Sequence, residues 1–255
     1  MKKPLILVTN DDGIGAPGIR ALIEVAKNLG EVVVVAPDSP QSGKGHAITI
    51  EQPLRLHPVN LYPDIKAWEC SGTPVDCVKL AKNILFKDRE IALCVSGINH
   101  GSNAAINIIY SGTLSAAMEA SLENIPSIGF SLLDFNWDAD FEPSKEWVFY
   151  IMSFVLNKGI PLGNLLNVNI PAKKDQPILG IKVCKQANSR WVEEYVKGID
   201  PRGQPYYWLT GKFINEDEDE NTDIKALQAG YISVVPSQHD LTNYKSLSSL
   251  KILEK

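Results

Sequence analysis

Two aspartates stand side by side in "TNDDGIGAPG", Thr9 to Gly18, directly after the apolar run "PLILVT". Two like charges about 4 Å apart repel by roughly 4 kcal/mol at an effective dielectric near 20. Asp11 and Asp12 therefore suit a cation and repel an anion. The same stretch also spells G-x-G-x-x-G through Gly13, Gly15 and Gly18, the dinucleotide fingerprint, and Asp38 follows about 20 residues later. Against a pyrophosphate, the carboxylates occupy the strand end where it would approach. Pro17 also removes an N–H that a helix terminus offers to an anion. For a metal, the geometry works. Adjacent side chains on a strand point to opposite faces, but Gly13 and Gly15 permit a turn that brings both carboxylates to one point.

Other oxygen donors are expected at neighbouring strand ends, where open α/β sheets place their sites. Ser42 lies in "QSGKG" after the second predicted strand, and Asn99 and Asn103 lie in "SGINHGSN" after the third. Asp, Asp, Ser and Asn form an all-oxygen set that suits Mg²⁺, Mn²⁺ or Ca²⁺ and not zinc. On spacing alone, Ser42 and Asn99 read first as turn residues bonding their own backbone. "YSGTLSAAMEA" sets Ser111, Gly112 and Thr113 at the start of a predicted helix, whose free N–H groups suit a phosphoryl group or, more simply, a side-chain cap.

The elements that must position these residues follow from hydrophobic pattern. "PLILVT", "EVVVVAP", "IALCVSG" and "IPSIGFS" are apolar runs of strand length, as in strands buried on both faces. "GIRALIEVAKNLG" is an amphipathic helix stopped by Gly30, and this β-α-β opening implies parallel strands. Further helices are expected from Thr73-Pro74 through "VDCVKLAKNIL", in "TLSAAMEASLEN" and in "PSKEWVFYIMSFVLNKG". "LLNVNIP", "ILGIKVCKQ", "PRGQPYYWLTGKF" and "YISVVP" read as later strands, "TDIKALQAG" as a short helix, and the tail from Tyr244 as helical. "NEDEDEN" reads as a solvated loop.

At 255 residues, one large domain or a domain with an extension is expected. A net charge of −5 without any Lys/Arg cluster gives no footprint for duplex nucleic acid. The apolar runs are too short to span a bilayer. Asp11 and Asp12 interrupt the N-terminal run, so it does not read as a signal peptide. Cys70, Cys77, Cys94 and Cys184 form no C-x-x-C and read as buried reduced thiols of a cytoplasmic protein.

Taken together, these residues resemble the SurE (survival protein E) family of metal-dependent 5′/3′-nucleotidases. The carrying motifs are "ILVTNDDGIGAPGI", "VVVVAPDSPQSGKGHAIT", "CSGTPVDCV", "VSGINHGSN" and "IYSGTLSAAMEA", with "NVNIP", "DPRGQPYYWLTG" and "TDIKALQAGYISVVPSQHDLT" further on. The likeness runs from residue 5 to about residue 244. "SVVPSQ" and the acidic "NEDEDEN" depart from the usual pattern and bear on oligomer contacts only. The resemblance implies a Rossmann-like three-layer core with a mostly parallel sheet. It implies a single domain over 1–255, with the site in about 1–130 and oligomerisation elements in about 131–255. It implies one divalent metal, Mg²⁺ or Mn²⁺ foremost, on Asp11, Asp12, Ser42 and Asn99, and a homodimer or homotetramer.

The expected activity is hydrolysis of nucleoside 5′- and 3′-monophosphates. Asp11 and Asp12 would be ligands, either doubling as general base, while Asn10, Asn103, Ser111, Gly112 and Thr113 orient the phosphate. Lys44 reads first as a solvated lysine and only second as a phosphate contact, while His100, next to Asn99, reads as the acid that protonates the leaving alkoxide or as a satisfied loop histidine. A covalent aspartyl-phosphate is disfavoured, because the carboxylates are adjacent and engaged as ligands. His239 and Asp240 read as a subunit-contact pair or as surface, and Tyr206, Tyr207 and Trp208 as an interface strand or as core. The rival functions are a nicotinamide-dependent oxidoreductase built on Gly13, Gly15 and Gly18, and a binding module without turnover.

Overall fold

The computed structural model describes residues 3–172 and 177–254; Met1 and Lys2 of the N-terminal run lie outside them. Nine strands form one sheet in the order β3-β4-β2-β1-β5-β6-β7-β11-β8. These are β1 (Leu5–Thr9), β2 (Glu31–Pro37), β3 (Leu56–Val59), β4 (Lys66–Cys70), β5 (Leu93–His100), β6 (Ser127–Leu132), β7 (Asn164–Ile170), β8 (Ile181–Val183) and β11 (Ile232–Gln238). Pairing is parallel except between β3 and β4 and between β7 and β11. The α/β class and mostly parallel sheet expected from the apolar runs are present. Only three residues of "ILGIKVCKQ" form a strand.

Alternation along the strands splits the core into two layers. Ile6 and Val8 of β1 face the helices α1 (Pro17–Ala26) and α4 (Glu142–Lys158). Leu5 and Leu7 face α2 (Pro74–Leu80) and α3 (Gly112–Leu122). Ile19, Leu22 and Ile23 of α1 are almost wholly buried, worth about 1.5–3 kcal/mol each against exposure. Thr73 and Asp76 cap α2 reciprocally, with Pro74 as its first residue. The last turns of that predicted helix continue as a π-helical segment, Ala81–Leu85.

Outside the sheet, β9 (Ser189–Ile199) and β10 (Pro205–Asn215) form an antiparallel ribbon in unbroken register from Pro205↔Ile199 to Asn215↔Ser189. Tyr206, Tyr207 and Trp208 are exposed on it, which removes the core alternative for them. The acidic run is partly organised: Asp217 and Asp219 both reach Lys185. Two short helices complete the chain, α5 (Asp223–Gln228) and α6 (Tyr244–Leu250). Among the described residues no helix is long and apolar enough to cross a membrane. All four cysteines are free and buried.

Candidate metal centre

The chain leaves β1 toward β2 on one side, and β5 lies on the other. This is the switch point at which open α/β sheets form a crevice. The loop 10–16 after β1 opens it. Asn10 donates through Nδ2 to the carbonyl of Gly13 (2.9 Å), closing a turn in which Gly13 takes φ +100°. Asp11 is 4% exposed, and its carbonyl accepts from the Gln41 N–H at 2.7 Å. Its carboxylate accepts from both the hydroxyl and the backbone N–H of Thr113, at the first turn of α3. The helix dipole there favours negative charge. Gly112 makes this approach feasible: a Cβ on it would lie 2.6 Å from Cβ of Asp11.

Neither Asp11 nor Asp12 forms a salt bridge among the described residues. Burial first, and then the charge of Asp12, pushes the Asp11 carboxyl up to about 6 against the Thr113 hydrogen bonds. Burial likewise raises Asp12, opposed by His100 and its backbone N–H. A buried carboxylate beside a half-buried one, with no salt bridge to either, is costly unless protonated or paired.

Asn99 reaches the crevice through a bulge. Ser96 pairs with Gly129 and Asn99 with Ser131, so β5 carries one residue more than β6 between these pairs. The amide nitrogen of Asn99 donates to the carbonyls of His100 (3.1 Å) and Gly101 (2.9 Å), which leaves its oxygen as the donor atom for a ligand. Ser42 is exposed and follows Gln41, which bonds the Asp11 backbone. Lys44 is tied to Gln41 (2.6 Å).

Whether a cation fits is tested by the buried polar atoms without partners. Seven such atoms occur among the described residues, and five belong to Thr9, Asn10, Asp12, Ser96 and His100. Thr9 ends β1, Asn10 and Asp12 follow it, Ser96 pairs with Thr9 from β5, and His100 ends β5. Among the described residues no group of three or more His, Cys, Asp or Glu forms a metal site. The donors here are two carboxylates and neutral oxygens, the hard set that suits Mg²⁺, Mn²⁺ or Ca²⁺.

Several expected phosphate contacts have internal partners. Ser111 caps α3, its oxygen accepting from the N–H of Leu114 at 3.1 Å. Thr113 holds Asp11. Asn103 is held by its neighbours: its N–H donates to Asn169 (2.8 Å), its amide to Ser131 (2.8 Å), and its carbonyl accepts from Asn167 (2.9 Å). Asn167 and Asn169 are functional supports that sequence reasoning missed. Their signal is visible in "NVNIP": two asparagines at i and i+2 share one face of a buried strand and need polar partners. Asp223 was missed as well; it holds the N–H of Ala105 at 2.7 Å, where Ala105 takes φ +54°.

Gly18, the last fingerprint glycine, has a packing role. A Cβ there would stand 1.9 Å from the carbonyl oxygen of Ile98, so Gly18 seats α1 against β5.

A family model described as survival protein SurE matches residues 6–193. The chain is 59% identical to a protein named 5′-nucleotidase SurE from Christiangramia forsetii, over 98% of this chain and 96% of that one. It is 57% identical to the protein of that name from Flavobacterium psychrophilum, over 98% and 97%. A crystal structure titled SurE protein from Aquifex aeolicus superposes with a TM-score of 0.84 at 43% identity, covering 99% of this chain and 100% of that one. The oxidoreductase alternative is thereby corrected: the relatives carry a nucleotidase name, and two carboxylates sit where a pyrophosphate would lie.

Proposed function

The chain belongs to the SurE family, and from that premise we propose that it is a metal-dependent 5′-nucleotidase acting at Asp11, Asp12, Ser42 and Asn99. The observation that carries the site assignment is the cluster of unpartnered buried polar atoms around two unpaired carboxylates. Asp11, Asp12, Ser42 and Asn99 would hold a divalent cation, which would supply Lewis acidity toward a phosphoryl oxygen.

The chain's own residues do the rest. Thr113 fixes Asp11 as a ligand. Asp12 is half-buried, keeps one unpartnered oxygen and is the carboxylate suited to take the proton of the attacking water. Asn10, Asn103 and the first turn of α3 at Ser111 and Gly112 orient the phosphate, with the helix dipole favouring the anion. Substrates are nucleoside 5′- and 3′-monophosphates, and the cation is Mg²⁺ or Mn²⁺.

The working form is a homodimer or homotetramer. The β9–β10 ribbon exposes Tyr195, Val196, Ile199, Tyr207, Trp208 and Leu209, and α6 buries none of its residues. Two-stranded ribbons are marginal alone, and a second copy would cover these faces. Buried free thiols support a cytoplasmic setting.

Phosphate release from AMP is the test. Release is expected with Mg²⁺ or Mn²⁺, none with excess chelator, and a loss of at least a hundredfold in Asp11→Asn or Asp12→Asn, about the effect of removing one key electrostatic group. Saturable AMP binding without turnover would instead support the binding-module reading.

A further inference from the structure

His100 was expected to be either a proton donor or a satisfied loop residue. Its surroundings give it a different task. The ring Nδ1 donates to the carbonyl of Asn136 at 2.7 Å. One ring face lies parallel to Trp137, with centroids 5.4 Å apart and planes 10° from each other. Phe141 meets the ring edge-on at 5.1 Å. The imidazole is thus the fixed layer beneath Trp137.

The next residue carries a second ring. A Cβ on Gly101 would lie 2.2 Å from Cε1 of Phe135, so this ring rests directly on the Gly101 backbone. The loop bearing both rings is tied by hydrogen bonds. Asp134 accepts from the N–H (3.0 Å) and the amide (2.6 Å) of Asn136, and the N–H of Leu133 donates to Ile170 at 2.9 Å.

Both rings remain open to solvent, Phe135 at 80% and Trp137 at 62%. Single exposed apolar residues need no explanation. Two aromatics within three residues, each backed by the segment that follows Asn99, form a surface with a free π-face. That segment is continuous with the candidate centre: the Asn99 amide bonds the carbonyls of His100 and Gly101, and the His100 N–H faces Asp12.

We propose that Phe135 and Trp137, seated on Gly101 and His100, form the platform on which the nucleobase of the substrate stacks while its phosphate lies at the first turn of α3, beside the Asp11–Asp12 centre. The inference rests on the nucleotidase reading and adds to it a source of discrimination. Every base has a π-face, so stacking favours nucleotides over phosphate esters without a flat ring and separates the bases only weakly.

The test compares kcat/KM for AMP and for ribose 5-phosphate, with Mn²⁺ present, in the unaltered protein and in Trp137→Ala, Phe135→Ala and Trp137→Phe. The ratio of AMP to ribose 5-phosphate is expected to fall about 5- to 100-fold in each alanine variant, mainly through KM for AMP. Trp137→Phe keeps a ring and should hold the ratio within a few-fold. An unmoved ratio, or equal losses on both esters, overturns the platform. A drop in solution mass with an unmoved ratio assigns the rings to a subunit contact and also overturns it. If the unaltered protein hydrolyses neither ester, the nucleotidase reading falls and the platform with it. Hydrolysis of both with an unmoved ratio removes the platform alone.

Discussion

At the scale of residues, the centre is a balance between a buried and a half-buried carboxylate and whatever neutralises them. Asp11 has its carboxyl raised to about 6 in the folded chain, against 3.8 as its ordinary value. A raised acid favours folding while protonated, so its contribution is full below pH 3.8 and is lost as pH rises through about 6. In chelator, thermal stability is therefore expected to decline across that window, by up to about 3 kcal/mol. Mg²⁺ or Mn²⁺ at a hundredfold its Kd should restore about 2.7 kcal/mol above it. Asp12→Asn relieves the repulsion: without metal it should melt no lower than the unaltered protein, and it should lose most of the metal-induced gain. Thermal melts against pH, with and without cation, check both. The two aspartates are legible in sequence because adjacent charges interrupt an apolar strand run. Thr113 is legible only as a helix cap, since the carboxylate it holds lies 102 positions away. Ser42 and Asn99 stand out through the family resemblance, as their types and spacing are those of ordinary turn residues.

At the scale of elements, the site depends on how closely α1 and α3 approach the ends of β1 and β5. Gly18 lets α1 lie on the Ile98 backbone, where any side chain would collide with a carbonyl. Gly18→Ala is expected to cost about 3 kcal/mol or more, in the range of severe backbone or overpacking changes. Because the shift falls on the strand leading into Asn99, cation affinity should also fall; urea denaturation and metal titration measure the two. The G-x-G-x-x-G spelling was thus legible as a tight strand-to-helix turn, while its ligand had to be read from the neighbouring aspartates. Strands β1, β2, β5 and β6 announce themselves as continuous apolar runs because both faces are buried. Strand β9 does not. "SRWVEEYVKGI" mixes charge and aromatics, and among the described residues it pairs only with β10. The bulge in β5 before Asn99 was hidden too, since a bulge leaves no mark in composition.

At the scale of the whole molecule, a nine-stranded sheet carries the candidate centre at its switch point, and a ribbon and tail expose apolar residues. If a second copy covers those residues, Trp208→Asp should shift light-scattering mass toward the monomer. The Asp11–Asp12 centre, built within one chain, should then still bind its cation. The measurement that bears most directly on the account is an anomalous difference map of crystals grown with Mn²⁺. One peak per chain is expected, bonded to oxygens of Asp11, Asp12, Ser42 and Asn99 and absent in Asp12→Asn. Bound manganese located elsewhere, or none at these residues under conditions where the protein hydrolyses AMP, would contradict it.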